Sequence, residues 1–172
     1  MAKKKTAETM MVEGSWNVGA YNYKAPTLLP EYVENLKDKR IVGSMCPGCG
    51  KVIVQPRNLC GRCHRRMTER IEVSPIGTVN IFVKSEPVLK GKYTVFGMDP
   101  IDLGMVEEGE RIIAVFVQFD GASSNVHSLL INADPDKVEN NMRVRAVFAD
   151  EPTGALSDLV GVEPLDEDRR KK

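Results

Sequence analysis

All four cysteines of this chain lie in two short motifs, Cys46-Pro47-Gly48-Cys49 and Cys60-Gly61-Arg62-Cys63, which are separated by ten residues. Two residues between cysteines let both sulfurs of one tight turn face the same ion, and ten residues suffice for a hairpin that brings the turns together. Four thiolates complete a tetrahedral site with no position for substrate or water. The spacing therefore predicts one structural zinc ion per chain, bound by Cys46, Cys49, Cys60 and Cys63.

Other interpretations of these cysteines can be weighed. Two disulfides would suit a secreted protein, but the basic N-terminus leads into polar residues instead of the apolar region of a signal peptide. We therefore expect a cytoplasmic protein with reduced thiols. Iron fits the same four thiolates in a rubredoxin-like centre, so an iron electron carrier stays open as an alternative. His64 adjoins Cys63, but four sulfurs fill the site, so we expect an exposed or merely neighbouring histidine.

Short β-type runs flank the first motif. Residues 40–45 and 51–56 have the composition of strands, and they predict a zinc ribbon at residues 40–70. Before the ribbon, residues 31–39 place Tyr32, Val33 and Leu36 at positions i, i+1 and i+4, which predicts a short amphipathic helix. Residues 1–39 are accordingly interpreted as an N-terminal arm that ends in this helix.

Five further β-type runs follow the ribbon, with turn residues between them: 78–83, 93–96, 111–119, 126–131 and 143–148. A brief helical stretch at residues 135–140 precedes the last one. Five strands in this arrangement match a small OB-fold barrel, which we place at residues 71–150. The remaining residues, 151–172, contain Pro, Gly and a charged end and are predicted to be a solvated or disordered tail. The predicted fold is mainly β, with a helical arm, a rubredoxin-like zinc ribbon and a five-stranded OB-fold barrel.

The net charge of zero hides an uneven distribution. Residues 39–70 hold eight Lys or Arg and one acid, a net of +7, whereas residues 99–172 hold sixteen acids and eight bases, a net of −8. The chain is long enough, at 172 residues, to bury one sizeable core beside the small metal module.

No catalytic set emerges from the sequence. The two histidines are His64, beside the metal motif, and His127, which alternates with apolar neighbours and is expected at the surface or at the barrel mouth. There is no spare cysteine, phosphate-binding loop or nucleophile motif. The residues by themselves therefore indicate a binding or assembly module.

An aromatic segment precedes the helix. The single tryptophan, Trp16, and two of the four tyrosines, Tyr21 and Tyr23, lie here, after a lysine-rich start at residues 1–15 that we expect to be flexible. Large amphipathic rings often anchor a chain to its partner, although they can equally fold back on their own surface. We interpret Trp16, Tyr21 and Tyr23, with Tyr32 and Leu36 of the helix, as partner-docking residues.

The order of these features resembles a known family. It comprises an N-terminal helix, Cys-x-x-Cys-Gly at residues 46–50, Pro-Arg-x-x-Cys at residues 56–60, Cys63, and a barrel that opens with Gly77-Thr78-Val79. Over about residues 28–150 this is similar to the acyl-CoA-associated zinc-ribbon/OB-fold proteins. The aromatic N-terminal extension and acidic tail further resemble the small subunits of two-component thiolases of anaerobic toluene degradation, which cleave benzoylsuccinyl-CoA.

The resemblance implies an accessory subunit of a hetero-oligomeric thiolase-type complex, an acyltransferase in which the catalytic cysteine belongs to the partner chain. It implies that the ribbon and helix dock on that partner while the barrel shapes the entrance for acyl-CoA and CoA. Basic ribbon residues are then candidates for contact with CoA phosphates or an acidic partner surface: Arg57, Arg62, Arg65, Arg66 and Arg70. The alternative is that these arginines form ordinary solvent-exposed surface and contact no ligand or partner.

A nucleic-acid module is the main rival class, because zinc ribbons and OB barrels both bind single strands and a basic ribbon suits phosphates. The acidic barrel half and the lack of aromatics interleaved with the basic residues argue against it. We therefore expect a catalytic protein partner and acyl-CoA, and neither nucleic acid nor a membrane.

Overall fold

The computed structural model describes residues 11–16, 19–24, 27–92, 94 and 97–165, and at residues 11–24 it describes the backbone alone. This part of the chain holds ten strands, one α-helix and two short 3-10 helices. In chain order the elements are β1 (Met11–Trp16), β2 (Gly19–Lys24), α1 (Leu29–Lys37), β3 (Ile41–Met45), β4 (Val52–Ile53), β5 (Glu69–Val73), β6 (Ile76–Lys84), β7 (Ile113–Phe119), β8 (Val126–Leu129), a 3-10 helix (Pro135–Lys137), β9 (Arg143–Phe148), a second 3-10 helix (Leu156–Asp158) and β10 (Leu159–Pro164). No helix among them is long and apolar enough to cross a membrane.

Helix α1 forms close to its predicted position. Pro30 stands in the first turn, where its missing N–H costs no helical hydrogen bond, and Glu31 and Lys37 carry the charges that suit the two ends of the helix dipole. The side chains of Tyr32 and Leu36 are only 1% and 0% exposed. Both pack in the chain's own core, so their predicted role in partner docking is corrected: a partner does not reach them at the surface.

The ribbon sheet has three antiparallel strands in the order β4-β3-β5. Strand β3 is central, and its residue Met45 lies opposite Val52 of β4 on one side and Glu69 of β5 on the other. The predicted ribbon is therefore present, and its sheet continues beyond residue 70 to Val73.

The second sheet has five antiparallel strands in the order β10-β9-β6-β7-β8. It curls until Leu130, next to β8, forms a parallel bridge to Val162 of β10. Its first strand, β6, pairs with both β7 and β9, as in a five-stranded OB-type sheet. The predicted mainly β fold, with ribbon and five-stranded barrel, is confirmed, the barrel being a half-barrel.

One of the five strands differs from the prediction. Residues 93–96, the expected second strand, lie outside the described residues except Thr94, which is in no strand. Strand β10 instead completes the sheet, although its residues were predicted to belong to a solvated tail, so the barrel extends past residue 150. Gly161 and Pro164 obscured this strand because both residue types weaken strand patterns. At Gly161 the fold needs a glycine, since a Cβ there would lie 2.8 Å from the carbonyl oxygen of Leu129.

One apolar core joins the helix, the ribbon sheet and the barrel. Leu36 of α1 and Val54, next to β4, belong to the same buried cluster as Val115 of β7. The loop before β8 also holds the ribbon, because the N–H of Ser123 donates to the carbonyl of Val52 at 2.7 Å. The ribbon is thus packed onto the barrel, and a second, smaller cluster surrounds the cysteines, as expected for a metal module.

Strands β1 and β2 form a separate two-stranded hairpin in which Trp16 lies opposite Gly19. The backbone is in a strand from Met11 onward, whereas the sequence predicts a flexible start through residue 15. The side chains of Trp16, Tyr21 and Tyr23 lie outside the described part of the chain, so their docking role stays a prediction.

Candidate metal centre

The two Cys-x-x-Cys turns are built from equivalent hydrogen bonds. The N–H of Gly50 donates to the carbonyl of Cys46 at 2.9 Å, and in the second turn the N–H of His64 donates to the carbonyl of Cys60 at 2.9 Å. Cys46 and Cys60 also donate their own N–H groups to the carbonyl five residues later, at 2.9 and 3.0 Å. Each cysteine pair is therefore held in the same backbone frame.

His64 occupies the position in the second turn that Gly50 occupies in the first. Both residues have a positive φ, 54° and 68° respectively, a conformation that glycine adopts freely and that histidine tolerates better than most residues. The side chain of His64 is exposed, and its nitrogens are not among the clustered ligand atoms. The structure thus gives His64 a place in the turn and not in the metal site, as the sequence predicted.

The four sulfurs form a compact cluster, all within 4.8 Å of one another. The Sγ atoms of Cys46 and Cys63 are 3.2 Å apart, and that of Cys49 lies 3.7 Å from Cys60 and 4.0 Å from Cys63. A tetrahedron with metal–sulfur bonds of about 2.3 Å has edges of about 3.8 Å. The donor set therefore fits a single tetrahedral ion, and thiolates suit both zinc and iron.

The thiol pKa values diverge within this cluster. Hydrogen bonds from the backbone N–H groups of Cys63 and Arg62 lower the pKa of Cys60 to about 6. The nearby sulfur of Cys46 raises the pKa of Cys63 to about 12. Four thiolates at these distances repel one another, so a bound cation is needed for all four to ionise at neutral pH.

The surroundings of the sulfurs are those of a structural centre. Cys46 and Cys60 are buried beside the buried side chain of Met67, while Cys49 and Cys63 are half-buried. Four protein ligands complete the coordination of a tetrahedral ion and leave no position for a substrate. The site can therefore fix the two turns relative to each other, and it cannot activate a bound water.

Four predicted contact residues lie at the surface of the ribbon: Arg57, Arg62, Arg65 and Arg66. None of them forms an ion pair with a residue that the structure describes. The stem of Arg65 lies over the first turn, since a Cβ on Gly48 would be 2.7 Å from its Cδ. These guanidinium groups are exposed on the ribbon, within reach of an anionic ligand or surface.

Arg70 has a different role. Its side chain is mostly buried, its Nε donates to Glu31 Oε1 at 2.9 Å, and its Nη1 donates to the Ser44 hydroxyl at 3.3 Å. It ties the first turn of α1 to the ribbon sheet. This engagement removes Arg70 from the candidates for ligand contact.

A cavity of about 330 Å³ between α1 and the ribbon was missed by the sequence analysis. It is lined by Thr27, Leu28, Leu29, Tyr32, Gln55, Pro56, Arg57 and Asn58. Asn58 Nδ2 donates across it to the hydroxyl of Thr27 at 2.9 Å. No sequence signal brings these two segments together, because the contact spans 31 residues and depends on how the helix packs.

The ribbon has recognisable relatives. Residues 34–69 match the family model described as "ChsH2, rubredoxin-like zinc ribbon domain". This region is similar to the ChsH2-type zinc ribbon. The match supports the predicted resemblance to the zinc-ribbon/OB-fold proteins associated with acyl-CoA, whereas the narrower likeness to benzoylsuccinyl-CoA thiolase stays a hypothesis.

Solved structures resemble the architecture of ribbon and barrel together. A chain of the "Ltp2-ChsH2(DUF35) aldolase" matches with a TM-score of 0.54 and 14% identity over 81% of this chain and 96% of its own length. A DUF35 protein of unknown function from Sulfolobus solfataricus matches with a TM-score of 0.58 and 13% identity over 83% and 90%. At these identities the likeness shows a common fold. No curated protein sequence matches the chain.

Proposed function

We propose that this chain is a non-catalytic, zinc-binding accessory subunit of a thiolase-type complex that acts on acyl-CoA. The catalytic subunit supplies the reacting groups, and this chain docks on it and shapes the entrance for acyl-CoA and CoA. The observation that carries the proposal is the ChsH2-type ribbon packed on an OB-type half-barrel, an architecture shared with a chain whose name couples ChsH2 to Ltp2 and to an aldolase. Aldolases, like thiolases, act on carbon–carbon bonds.

The metal centre supports a role in assembly. Its four thiolates hold the tip of the ribbon in one shape, and the core shared with α1 and the barrel fixes that tip relative to the rest of the chain. A rigid, preorganised surface loses little conformational entropy on docking. The ribbon is therefore suited to binding a protein surface in a defined orientation.

The exposed arginines of the ribbon support contact with an anion. Arg57, Arg62 and Arg65 are exposed without an acidic partner among the described residues, and their planar guanidinium groups bind phosphates and carboxylates through two parallel hydrogen bonds. We assign to them, with Arg66, contact with CoA phosphates or with acidic residues of the catalytic subunit.

In this proposal the barrel assists the reaction through its position beside the active site of the catalytic subunit. A thiolase must hold one acyl-CoA and then admit a second CoA, so a neighbouring domain that excludes water and orients the thioester raises the rate without supplying a reacting group. The reaction we propose is thiolytic cleavage of a 3-oxoacyl-CoA. Benzoylsuccinyl-CoA is the substrate that the narrower resemblance favours.

Copurification followed by assay tests the proposed function. We expect the tagged full chain, expressed in its native organism, to bring down a thiolase-type subunit that mass spectrometry identifies. The pair should cleave a 3-oxoacyl-CoA in the presence of CoA, and the highly purified chain alone should not. Thioester cleavage by the isolated chain, or the absence of any thiolase-type partner, would overturn the proposal.

A further inference from the structure

The outward face of strands β6, β7 and β8 carries two apolar rows. In the first row, Ile81 lies opposite Phe116, which lies opposite His127. In the second row, Val83 lies opposite Ala114, which lies opposite Leu129. Because adjacent strands are about 4.8 Å apart, each row spans about 10 Å of the sheet, and together the rows form one surface, here called the outer face.

The outer face is exposed in this chain. Ile81, Val83 and Phe116 are 55%, 65% and 43% exposed, whereas Val115 and Val117, which point inward from β7, are 0% exposed. Phe116 and His127 contact each other edge to face, with ring centroids 5.4 Å apart. In a sheet with one face in the core and the other in water, the outward residues of a strand such as β7 are usually polar. Large apolar residues at these outward positions therefore indicate a surface that a partner covers.

Neutral amides border the apolar rows. Asn80 donates from its Nδ2 to Gln118 Oε1 at 3.3 Å and to Asn125 Oδ1, just before β8, at 2.8 Å, which forms a third row beside the first two. None of the nine residues in the three rows carries a carboxylate, an ammonium or a guanidinium group. The apolar centre of the outer face, at Ile81, Val83 and Phe116, is thus easily dehydrated, because these side chains carry no charge that has to be removed from water.

The charges around this face decide which partner fits it. OB folds bind their ligands on the face of the second and third strands, here β7 and β8, between the first and the fourth connecting loops. The first of these loops, residues 85–112, holds six acids and three bases, and the second, residues 149–158, holds three acids and no base. The two loops therefore carry a net charge of −6.

This charge argues against two occupants. A single nucleic-acid strand would bring phosphates between two acidic loops, where OB proteins that bind strands supply basic residues instead. A second copy of this chain, placed face to face, would bring the acidic loops of both copies together. A protein partner with an apolar patch surrounded by basic residues complements both the apolar rows and the acidic loops.

We propose that the outer face is a second docking surface for the catalytic subunit, and that it receives an apolar patch rimmed by Lys or Arg. This inference rests on the proposed function, which supplies the partner, and it adds the site on the barrel. Phe116 and Ile81 are the central contacts, His127 supports the ring of Phe116, and the acidic loops accelerate association through long-range attraction.

The test compares two variants of the full chain in complex with the copurified catalytic subunit. The double variant Ile81→Thr/Phe116→Thr keeps strand propensity and removes the exposed apolar contacts. Val160→Thr is the matched control, because Val160 is also exposed on a strand, at 45%, but on β10. We expect the double variant to raise the Kd at least about tenfold, as loss of interface anchors does, and the control to leave it within about twofold. Metal content and the thermal unfolding midpoint should match the unaltered chain in both.

Salt and self-association complete the test. Neutralisation by Glu107→Gln/Glu108→Gln should slow association at low ionic strength and reduce its salt dependence.

If a thiolase-type subunit binds but the double variant and Val160→Thr bind it equally well, the outer face is not a docking surface, while the proposed function stands. If the isolated chain is a dimer that the double variant dissociates, or binds a labelled single strand that the double variant releases, the proposed occupant is wrong. If no thiolase-type subunit binds the unaltered chain, the proposed function fails, and this inference fails with it.

Discussion

The ribbon tip and the barrel are stabilised by different means. Among the residues whose side chains the structure describes, the buried cluster around the cysteines consists of Cys46, Cys60 and Met67, whereas the core that centres on the barrel has nineteen members. So small a cluster cannot offset the conformational entropy of the turns around it, and a bound ion must. The barrel needs no such ligand, because its strands bury continuous apolar rows. The comparison teaches that the ribbon tip is built to be held by a metal ion, whereas the scaffold is held by apolar packing.

The largest effect should come from removing one sulfur. Cys60→Ser leaves three thiolates, so we expect the metal content to fall from one ion per chain to near zero and binding of the catalytic subunit to be lost with it. Metal analysis of the purified variant and a pull-down of its partner measure the two losses together.

A matched control and the identity of the ion sharpen this comparison. His64→Asn keeps a residue that tolerates the left-handed backbone and should retain full metal content, because His64 is not a ligand. We expect one equivalent of zinc and a colourless protein. A red protein with thiolate-to-iron absorption would favour the electron carrier, and full metal content in Cys60→Ser would refute the site assignment.

The second effect belongs to the barrel. Phe119 is 0% exposed, so Phe119→Ala should lower the free energy of unfolding by about 3–5 kcal/mol, measured by urea denaturation. Metal content should not change in the folded fraction. Phe116→Ala, on the opposite face of the same strand, serves as the control and should cost far less. Equal costs for the two variants would mean that the inward and outward faces of β7 are wrongly assigned.

The third effect concerns residues 1–24, the part of the N-terminal arm that precedes α1 and belongs to neither region. Deletion of residues 1–24 removes the hairpin of β1 and β2 with Trp16, Tyr21 and Tyr23, and should weaken partner binding at least about tenfold. Ribbon and barrel should stay folded, with unchanged metal content and unfolding midpoint. Native affinity in the truncated chain, measured by titration calorimetry, would show that docking depends on the ribbon and barrel alone.

The smallest effect should appear as a pH dependence of the barrel. Asp158 is buried, and the N–H of Thr153, at 2.9 Å, together with that of Gly154 lowers the pKa of its carboxyl although burial opposes this. A carboxyl whose pKa is lower in the folded than in the unfolded chain, where it is about 3.9, adds stability above that pH. This stability is lost as the pH falls through the folded value.

Asp158→Asn should therefore lower the unfolding midpoint at pH 7, and the difference from the unaltered chain should shrink as the pH falls below about 3.9 and through the folded pKa. Asp150→Asn, at an exposed position of the same loop, should change neither. The ribbon should respond at a higher pH than the barrel, because protonation of its thiolates releases the metal first. A scan of metal content and circular dichroism against pH separates the two events, and simultaneous loss would contradict the separation of the two regions.

The local patterns of the sequence were sufficient for the ribbon and for much of the fold. Two Cys-x-x-Cys motifs define their own turns over four residues each, so the metal site needed no knowledge of distant contacts. In helix α1 and in strands such as β7 and β9, the periodic spacing of apolar residues is visible within a few residues. That spacing predicted that these elements exist and whether each is a helix or a strand. The resemblance to the zinc-ribbon/OB-fold family rests on the same short motifs.

What depends on distant contacts was decided only by the tertiary structure. Strand β10, interrupted by Gly161, becomes a strand because β9 offers it a partner. Tyr32 and Leu36 change from candidate docking residues to core residues because α1 packs its apolar side on the ribbon and barrel. The outer face exists because register places Ile81, Phe116 and His127 in one row, although they are far apart in the chain. A sequence displays periods and motifs, whereas pairing and packing choose which of its apolar residues are buried and which remain available to a partner.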